Sequence, residues 1–307
     1  MTYDRPLFLL SILITEAVLG YPALLVHPVA VVGRLIAILD SRWNNGTHRR
    51  VMGTLVAATL IVLGGGIGFA IERIAIGWSG AIAVILIGTT GLAQRSLHDH
   101  VAAVMRPLLA GNIDDARNAV SMIVGRDTAG LDTSGIAAAA TETLAESFCD
   151  GVVAPAFWFL LLGLPGLFVF KCISTADSMI GHLDDRYRDF GWASARADDV
   201  LNWVPARIAG VLICLSGGRG WRVMLRDAGK HLSPNSGWPE SAMAGAVGVQ
   251  LGGGAAYDGT WIGRANLGDG SRPIAPDVTH ALAIYRRACL GLWVFVGVIA
   301  GAQIWLR

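Results

Sequence analysis

"VMGTLVAATLIVLGGGIGFAI", residues 51–71, contains no charged side chain and no proline. A helix crossing a bilayer core needs about 20 consecutive apolar residues, and this stretch supplies them. Its glycines, Gly64, Gly65, Gly66 and Gly68, lie inside the apolar run. They read as points of close helix packing rather than as a phosphate loop, and the chain holds no G-x-x-x-x-G-K-[ST] pattern.

Similar stretches occur at 6–26, at 78–97, and at 288–306 behind Arg286 and Arg287. Two more apolar segments are less regular. Residues 151–170 contain Pro155 and a "GLPG" turn at 163–166, and residues 204–216 are too short to span comfortably. Broken helices at membrane depth are tolerated where they line a cavity, so 151–170 suits a re-entrant hairpin. Composition agrees: the 307 residues are 53% hydrophobic and 15% charged, with a mean hydropathy of +0.54. Soluble domains carry about 25% charged residues. The expected fold is an all-α, polytopic integral membrane protein. It forms one domain over 1–307 with about four spans, a re-entrant hairpin and long cytoplasmic loops.

Arginine and lysine in short loops set orientation. The 27–50 loop holds Arg34, Arg42, Arg49 and Arg50, whereas the 72–77 turn holds only Arg73. The expected topology puts 27–50, 98–150, 171–203 and 217–285 in the cytoplasm and both termini outside. No basic n-region or clear cleavage site marks the N-terminus as a cleavable signal. Net charge is +1, which gives no footprint for nucleic acid. Cys149, Cys172, Cys214 and Cys289 show neither a disulfide framework nor zinc spacing.

The polar chemistry gathers in three places. "ETLAESFCDGVVAP" (142–155) puts Glu142, Glu146 and Asp150 at steps of four, on one helical face. Like charges at that spacing repel, and no Arg or Lys occurs between Arg126 and Lys171. Ala140, Leu144 and Phe148 form an apolar row about 200° away, so the helix reads as amphipathic. Its acidic face is a wet surface, a Mg²⁺ site or a seat for a substrate's positive group. Hard cations use one or two carboxylates together with substrate phosphates. Downstream, "KCISTADSMIGHLDDRYRDFGWASARADD" (171–199) interleaves Arg186, Arg188 and Arg196 with several aspartates. It is either a surface ion-pair network or a phosphate site. The third place, "RDAGKHLSPNSGWPE" (226–240), is a loop dense in distinct polar groups, as ligand loops are.

These residues resemble a known family. "HPVAVVGRLI" (27–36), "GRDTAGLD" (125–132), "AESFCDGVVAP" (145–155), "STADSMIGH" (174–182), "RYRDFGWASARADDVLNWVPARI" (186–208) and "KHLSPNSGWPESAMAGAVGVQLGG" (230–253) are similar to the adenosylcobinamide-phosphate synthase family. The likeness runs from about residue 16 to 270. Ser147 and Ser174 stand where that family often has Asn, and His182 where it often has Tyr.

The resemblance implies a membrane ligase of cobalamin biosynthesis. It would join a carboxylate of adenosylcobyric acid in amide linkage to (R)-1-amino-2-propanol O-phosphate or ethanolamine phosphate. ATP would serve as substrate and Mg²⁺ as cofactor, through an acyl phosphate. On that reading Glu142, Glu146, Asp150 and Asp177 are the catalytic acids, with Glu146 and Asp150 as metal ligands. Substrate-binding candidates are His27, Arg34, Arg126, Asp127, Lys171, Arg188, Arg196, Arg226, Asp227, Lys230, His231, Asn235 and Glu240. The expected partners are the corrinoid substrate, the lipid bilayer, and a second copy of the chain or other cobalamin-pathway enzymes. The expected location is the inner (cytoplasmic) membrane. A transporter or carrier for a corrinoid is the competing class, since broken helices and intramembrane charges also mark transporters. Long polar loops and the lack of an inverted repeat favour the enzyme.

Overall fold

A computed structural model describes residues 4–21, 27–257 and 259–306. The helices in chain order are α1 (Arg5–Leu19), α2 (Pro28–Trp43), α3 (Arg49–Ile74), α4 (Gly77–Thr89), α5 (Gln94–Leu109), α6 (Ile113–Ser121) and α7 (Thr133–Phe148). They continue with α8 (Ala154–Leu162), α9 (Leu164–Ile180), α10 (Trp192–Gly217), α11 (Trp221–Asp227), α12 (Gly237–Val247) and α13 (Ala275–Trp305). Two small antiparallel ribbons precede α13: β1 (Leu251–Gly252) with β4 (Asn266–Leu267), and β2 (Ala255–Tyr257) with β3 (Thr260–Ile262).

The protein is all-α and polytopic. Among the described residues, five helical stretches are long and apolar enough to cross a membrane: Arg49–Ile74, Gly77–Leu109, Thr133–Leu162, Trp192–Gly217 and Ala275–Trp305. Two expectations change. The segment 6–26 is helical only over Arg5–Leu19, where Gly20 closes α1 with φ 63°, and residues 22–26 lie outside the described residues. The segment 204–216 belongs to α10, which starts upstream at Trp192 and runs through Pro205. Polar residues early in α10 hide its true length from a hydropathy reading. The segment 151–170 keeps its expected break at the GLPG turn: α8 and α9 meet at Gly163.

Contacts group the chain into two compact units, residues 1–93, 154–202 and 296–307 in one, 94–153 and 203–295 in the other. In the first, α9 packs antiparallel along α3 on a seam of glycines. A Cβ on Gly53 would lie 1.7 Å from the Phe190 carbonyl oxygen, and one on Gly68 would lie 2.5 Å from the Pro165 nitrogen. Small residues let backbones approach this closely, which is how helices associate where apolar burial gives no drive. Ile36, Val56, Leu60, Cys172, Ala176, Ile180 and Phe190 pack beside the seam.

Both ends of the seam are held by polar contacts. At one end Gly163 takes φ 72°, and Glu72 Oε1 accepts the Leu164 N–H at 2.8 Å. A carboxylate at that N-terminus satisfies an orphan donor and suits the helix dipole. At the other end Arg49 donates to the Asp185 carbonyl at 3.0 Å. Buried Asp40 accepts from Arg186 Nη2 at 2.6 Å and from Asn44 at 2.8 Å. The α8–α9 hairpin therefore returns along α3 from Glu72 to the Arg49 end.

In the second unit, α7 packs against α5, α12 and β1. Tyr285 donates to the Gln94 carbonyl at 2.8 Å and meets Phe148 edge-on at 5.6 Å. α7 is not amphipathic in the expected sense. Ala140, Leu144 and Phe148 are fully buried, but Thr141 and Glu142 on other faces are buried too. After Phe148 the helix widens into a π-turn, Cys149–Val153. Pro155 follows; it has no N–H to bond the carbonyl four residues back, a recognised cause of such defects. The regular step of fours thus holds for Glu142 and Glu146 and is interrupted at Asp150.

Candidate functional site

The second unit assembles a polar site from four segments. The loop before α7 brings Arg126 and Asp127. α7 brings Glu142 and Glu146. The approach to α12 brings His231, Ser236 and Glu240. The glycine-rich ribbons bring Gly252, Tyr257 and Arg264.

Glu142 is 4% exposed and committed at both oxygens. Arg126 pairs with Oε2, and the Gly252 N–H donates to Oε1 at 2.8 Å. Burial opposes the charge on Arg126, but Glu142 beside it raises its affinity for the proton. The repulsion along the acidic row is therefore relieved at Glu142 by a residue from outside the segment: the chain folds its own arginine onto it. Asp127 anchors the ribbon, donating its N–H to the Ala256 carbonyl and accepting the Gly259 N–H, both at 2.8 Å. Arg264 donates to the Tyr257 hydroxyl.

Glu146 is exposed and accepts from Ser236 Oγ at 2.9 Å through Oε1. Its other oxygen has no hydrogen bond among the described residues. Glu240, in the first turn of α12, is 4% exposed. Burial, then the like charges of Glu146 and Glu142, push its carboxyl well above the usual carboxylate range, while Arg264 and Arg126 pull the other way. His231 Nε2 lies 3.5 Å from Glu240 Oε1. Burial lowers the His231 pKa, against the pull of Glu146.

The polar residues just upstream of His231 form a clamp of their own. Asp227 accepts from Arg226 Nη2 at 2.6 Å, from the Gly268 N–H at 2.9 Å, and pairs with Lys230 at 2.6 Å. Arg226 also reaches Asp269 at 2.8 Å. These bonds hold Asp227 far below the usual carboxylate range. Asn235 accepts from Arg207 at 3.0 Å. Arg226, Asp227 and Lys230 thus tie α11 to the ribbon, a structural task where the loop's composition suggests substrate binding.

The remaining candidates lie in the first unit. His27 caps α2, its Nδ1 accepting the Val29 N–H at 3.2 Å. Burial and the Lys171 charge lower its pKa. Lys171 lines an otherwise apolar cavity of about 390 Å³ together with Val29, Leu60, Gly64 and Phe168. Arg34 is exposed on α2, and Asp177 is half-buried on α9. Arg188 lies 3.9 Å from Asp185, both exposed, and exposed Arg196 lies 3.1 Å from half-buried Asp199, local pairs as the ion-pair reading expects. Sequence reasoning missed Arg264, Ser236, Tyr257 and Gly252. The glycines flanking the ribbons are the signal that could have found that segment.

Membrane-crossing helices and a compact site of paired and unpaired acids define an integral membrane protein of the polytopic all-α class. The chain belongs to the CobD/CbiB family: the family model described as CobD/Cbib protein matches residues 9–285. A protein of Rhodobacter capsulatus, named cobalamin biosynthesis protein CobD, is 46% identical over 299 residues, covering 93% of this chain and 94% of the relative. One of Halalkalibacterium halodurans with the same name is 40% identical over 305 residues, covering 95% and 96%. A third, of Brucella anthropi, is 48% identical over 242 residues, 74% of each chain. No solved structure matches the chain.

Proposed function

We propose that the protein is a membrane-embedded ligase of cobalamin biosynthesis. It condenses a carboxyl group of adenosylcobyric acid with (R)-1-amino-2-propanol O-phosphate, or ethanolamine phosphate, to give adenosylcobinamide phosphate. The names of the relatives support the pathway. The observation that carries the chemistry is the site on α7 and α12: two acids not locked into internal pairs, Glu146 and Glu240, beside Arg264 and the Arg126–Glu142 pair. An amino-alcohol phosphate presents an ammonium and a phosphate a few bonds apart, and such a mixed site can bind both.

Amide formation from a free carboxylate is uphill, which is why ATP and an acyl phosphate belong to the proposal. Among the described residues no three His, Cys, Asp or Glu side chains converge on one point. Mg²⁺ that arrives on nucleotide phosphates needs only one or two protein carboxylates. Glu146, exposed and with one oxygen unbonded, fits that need, and Asp150 on the next turn would be its companion. When bound, the ion would neutralise phosphate charge. Glu142, with both oxygens taken, is not a ligand in this reading. The chain's own part is to position the two substrates and to manage charge.

The proposed setting is the inner membrane, with residues 27–50, 99–150 and 217–285 on the cytoplasmic side where ATP is available. The test is turnover by purified protein in detergent, with no gradient, given adenosylcobyric acid, aminopropanol phosphate, ATP and Mg²⁺. Mass spectrometry should find adenosylcobinamide phosphate. Folded protein that yields none would overturn the proposal.

A further inference from the structure

Glu240 is the acid in this site that the fold buries without satisfying. It is 4% exposed, yet among the described residues its carboxyl makes no hydrogen bond. The nearest polar partner, His231 Nε2 at 3.5 Å, stands beyond the usual 2.7–3.2 Å of a hydrogen bond. Neighbouring acids differ: Glu142 has two partners, Glu146 has one and Asp227 has three. Buried polar groups are nearly always satisfied, and an exception points to an absent partner.

His231 narrows what that partner is. The Ser233 N–H donates to His231 Nδ1 at 3.0 Å. A backbone N–H can only donate, so Nδ1 must be the acceptor nitrogen. In the neutral ring the proton is therefore on Nε2, the nitrogen facing Glu240. The remaining charged groups acting on Glu240 are Glu146 and Glu142 from α7, Arg126 from the loop before it, and Arg264 after β3. Arg126 is committed to Glu142. Glu240, Glu146 and Glu142 thus face Arg126, already paired with Glu142, and one further arginine, Arg264, so acids outnumber bases around Glu240 and the pocket is a seat for a group that brings N–H donors and a positive charge.

We infer that Glu240 receives the ammonium group of the amine substrate and takes one proton from it, with His231 as a positioning residue. This inference rests on the proposed ligase reading for the identity of the amine. The step balances: one N–H bond breaks, one O–H bond forms on the Glu240 carboxylate, and the ammonium becomes a neutral amine. The freed lone pair on nitrogen is then available to attack an activated carboxyl carbon. Nothing is oxidised or reduced. Burial and two neighbouring carboxylates make Glu240 a stronger base than an exposed glutamate, suiting it to accept that proton.

The test uses the full chain in detergent and two probes, (R)-1-amino-2-propanol O-phosphate and the same phosphate ester without its amine. Wild-type protein should bind the amine-bearing ester about tenfold or more tightly, the worth of one hydrogen bond to a charged group. Glu240→Gln should abolish most of that preference and lower kcat by about 100-fold or more, with folding verified by thermal unfolding. Glu240→Asp should restore part of both. His231→Gln should shift the pH profile of kcat while keeping part of the preference. If Glu240→Gln does not fold, Glu240→Asp carries the same readout, and a wild-type pH profile and preference in that variant overturn the inference. Lack of amine preference in wild-type protein overturns it whatever the turnover. Lack of product, with a preference that depends on Glu240, counts against the ligase reading alone.

Discussion

Replacing Arg126 with Met tests whether the Arg126–Glu142 pair holds the site together. The two side chains are 10% and 5% exposed, so neither charge has water to fall back on. In Arg126→Met, Glu142 keeps the Gly252 N–H on Oε1 and loses every partner on Oε2. Breaking a buried pair by removing one partner costs about 3–5 kcal/mol. The surviving backbone bond puts this case near the lower end. A second estimate agrees, since protonating an ordinary glutamate of pKa about 4.3 at pH 7 costs roughly 3.7 kcal/mol, a ceiling on leaving it charged and alone. In Arg126→Met combined with Glu142→Gln no buried charge remains, and the double variant should recover to within about 1 kcal/mol of the wild type. The assay is urea unfolding in detergent, followed by tryptophan fluorescence, over the full double-mutant cycle. A loss under about 1 kcal/mol in Arg126→Met, or strict additivity in the cycle, would refute the reasoning.

Three further outcomes are expected. Gly53→Ala should destabilise the protein by about 1–3 kcal/mol, because its Cβ would meet the Phe190 carbonyl, whereas Gly66→Ala on the same helix meets nothing within 4 Å and should be neutral or stabilising by up to about 1 kcal/mol. Equal unfolding curves for the two variants would dismiss the seam. Asp227, held low chiefly by Arg226, stabilises the fold fully above its unfolded pKa of about 3.9 and loses that contribution as pH falls further. Asp227→Asn should therefore cost about 1–3 kcal/mol at pH 7, with the gap to wild type narrowing below about pH 4; a pH-independent gap speaks against the clamp. Cysteines placed at Asn45 and Asp185 should label only from the cytoplasmic side, and one at Ile76 only from outside. All three positions are exposed, the four native cysteines are buried, and Arg49 binds Asp185 at the far end of α3 from Ile76. Labelling of Asp185 and Ile76 from one side would break the topology.

The span at 51–71 is legible because an uncharged apolar run leaves a helix no other environment to prefer, whereas the run at 78–97 breaks after Thr89 and resumes as α5 at Gln94. The Gly163 break is legible too, since glycine and proline punctuate any helix. α10 is under-read because hydropathy weighs residues and ignores backbone continuity; Trp192–Asn202 carries Arg196, Asp198, Asp199 and Asn202 yet is helical. The burial of Glu142 cannot be read locally. Its partners stand 16 and 110 residues away, in a loop and a ribbon that no helical periodicity links to α7. The acidic row looks uncompensated because compensation comes through tertiary contact. The partners of Arg226 and Lys230 are equally hidden: both pair with Asp227, which the loop's composition does not single out.

The glycine seam also constrains the order in which the chain can be built. The contacts that close its two ends join residues 92 and 136 positions apart in sequence. A ribosome adds about 5–20 residues per second, so α3 enters the bilayer roughly 5–25 seconds before the partner that fits it has been made. During that interval its bare glycine face has only lipid against it. The nascent helix waits as a template, and maturation of the protein is timed by the arrival of α9.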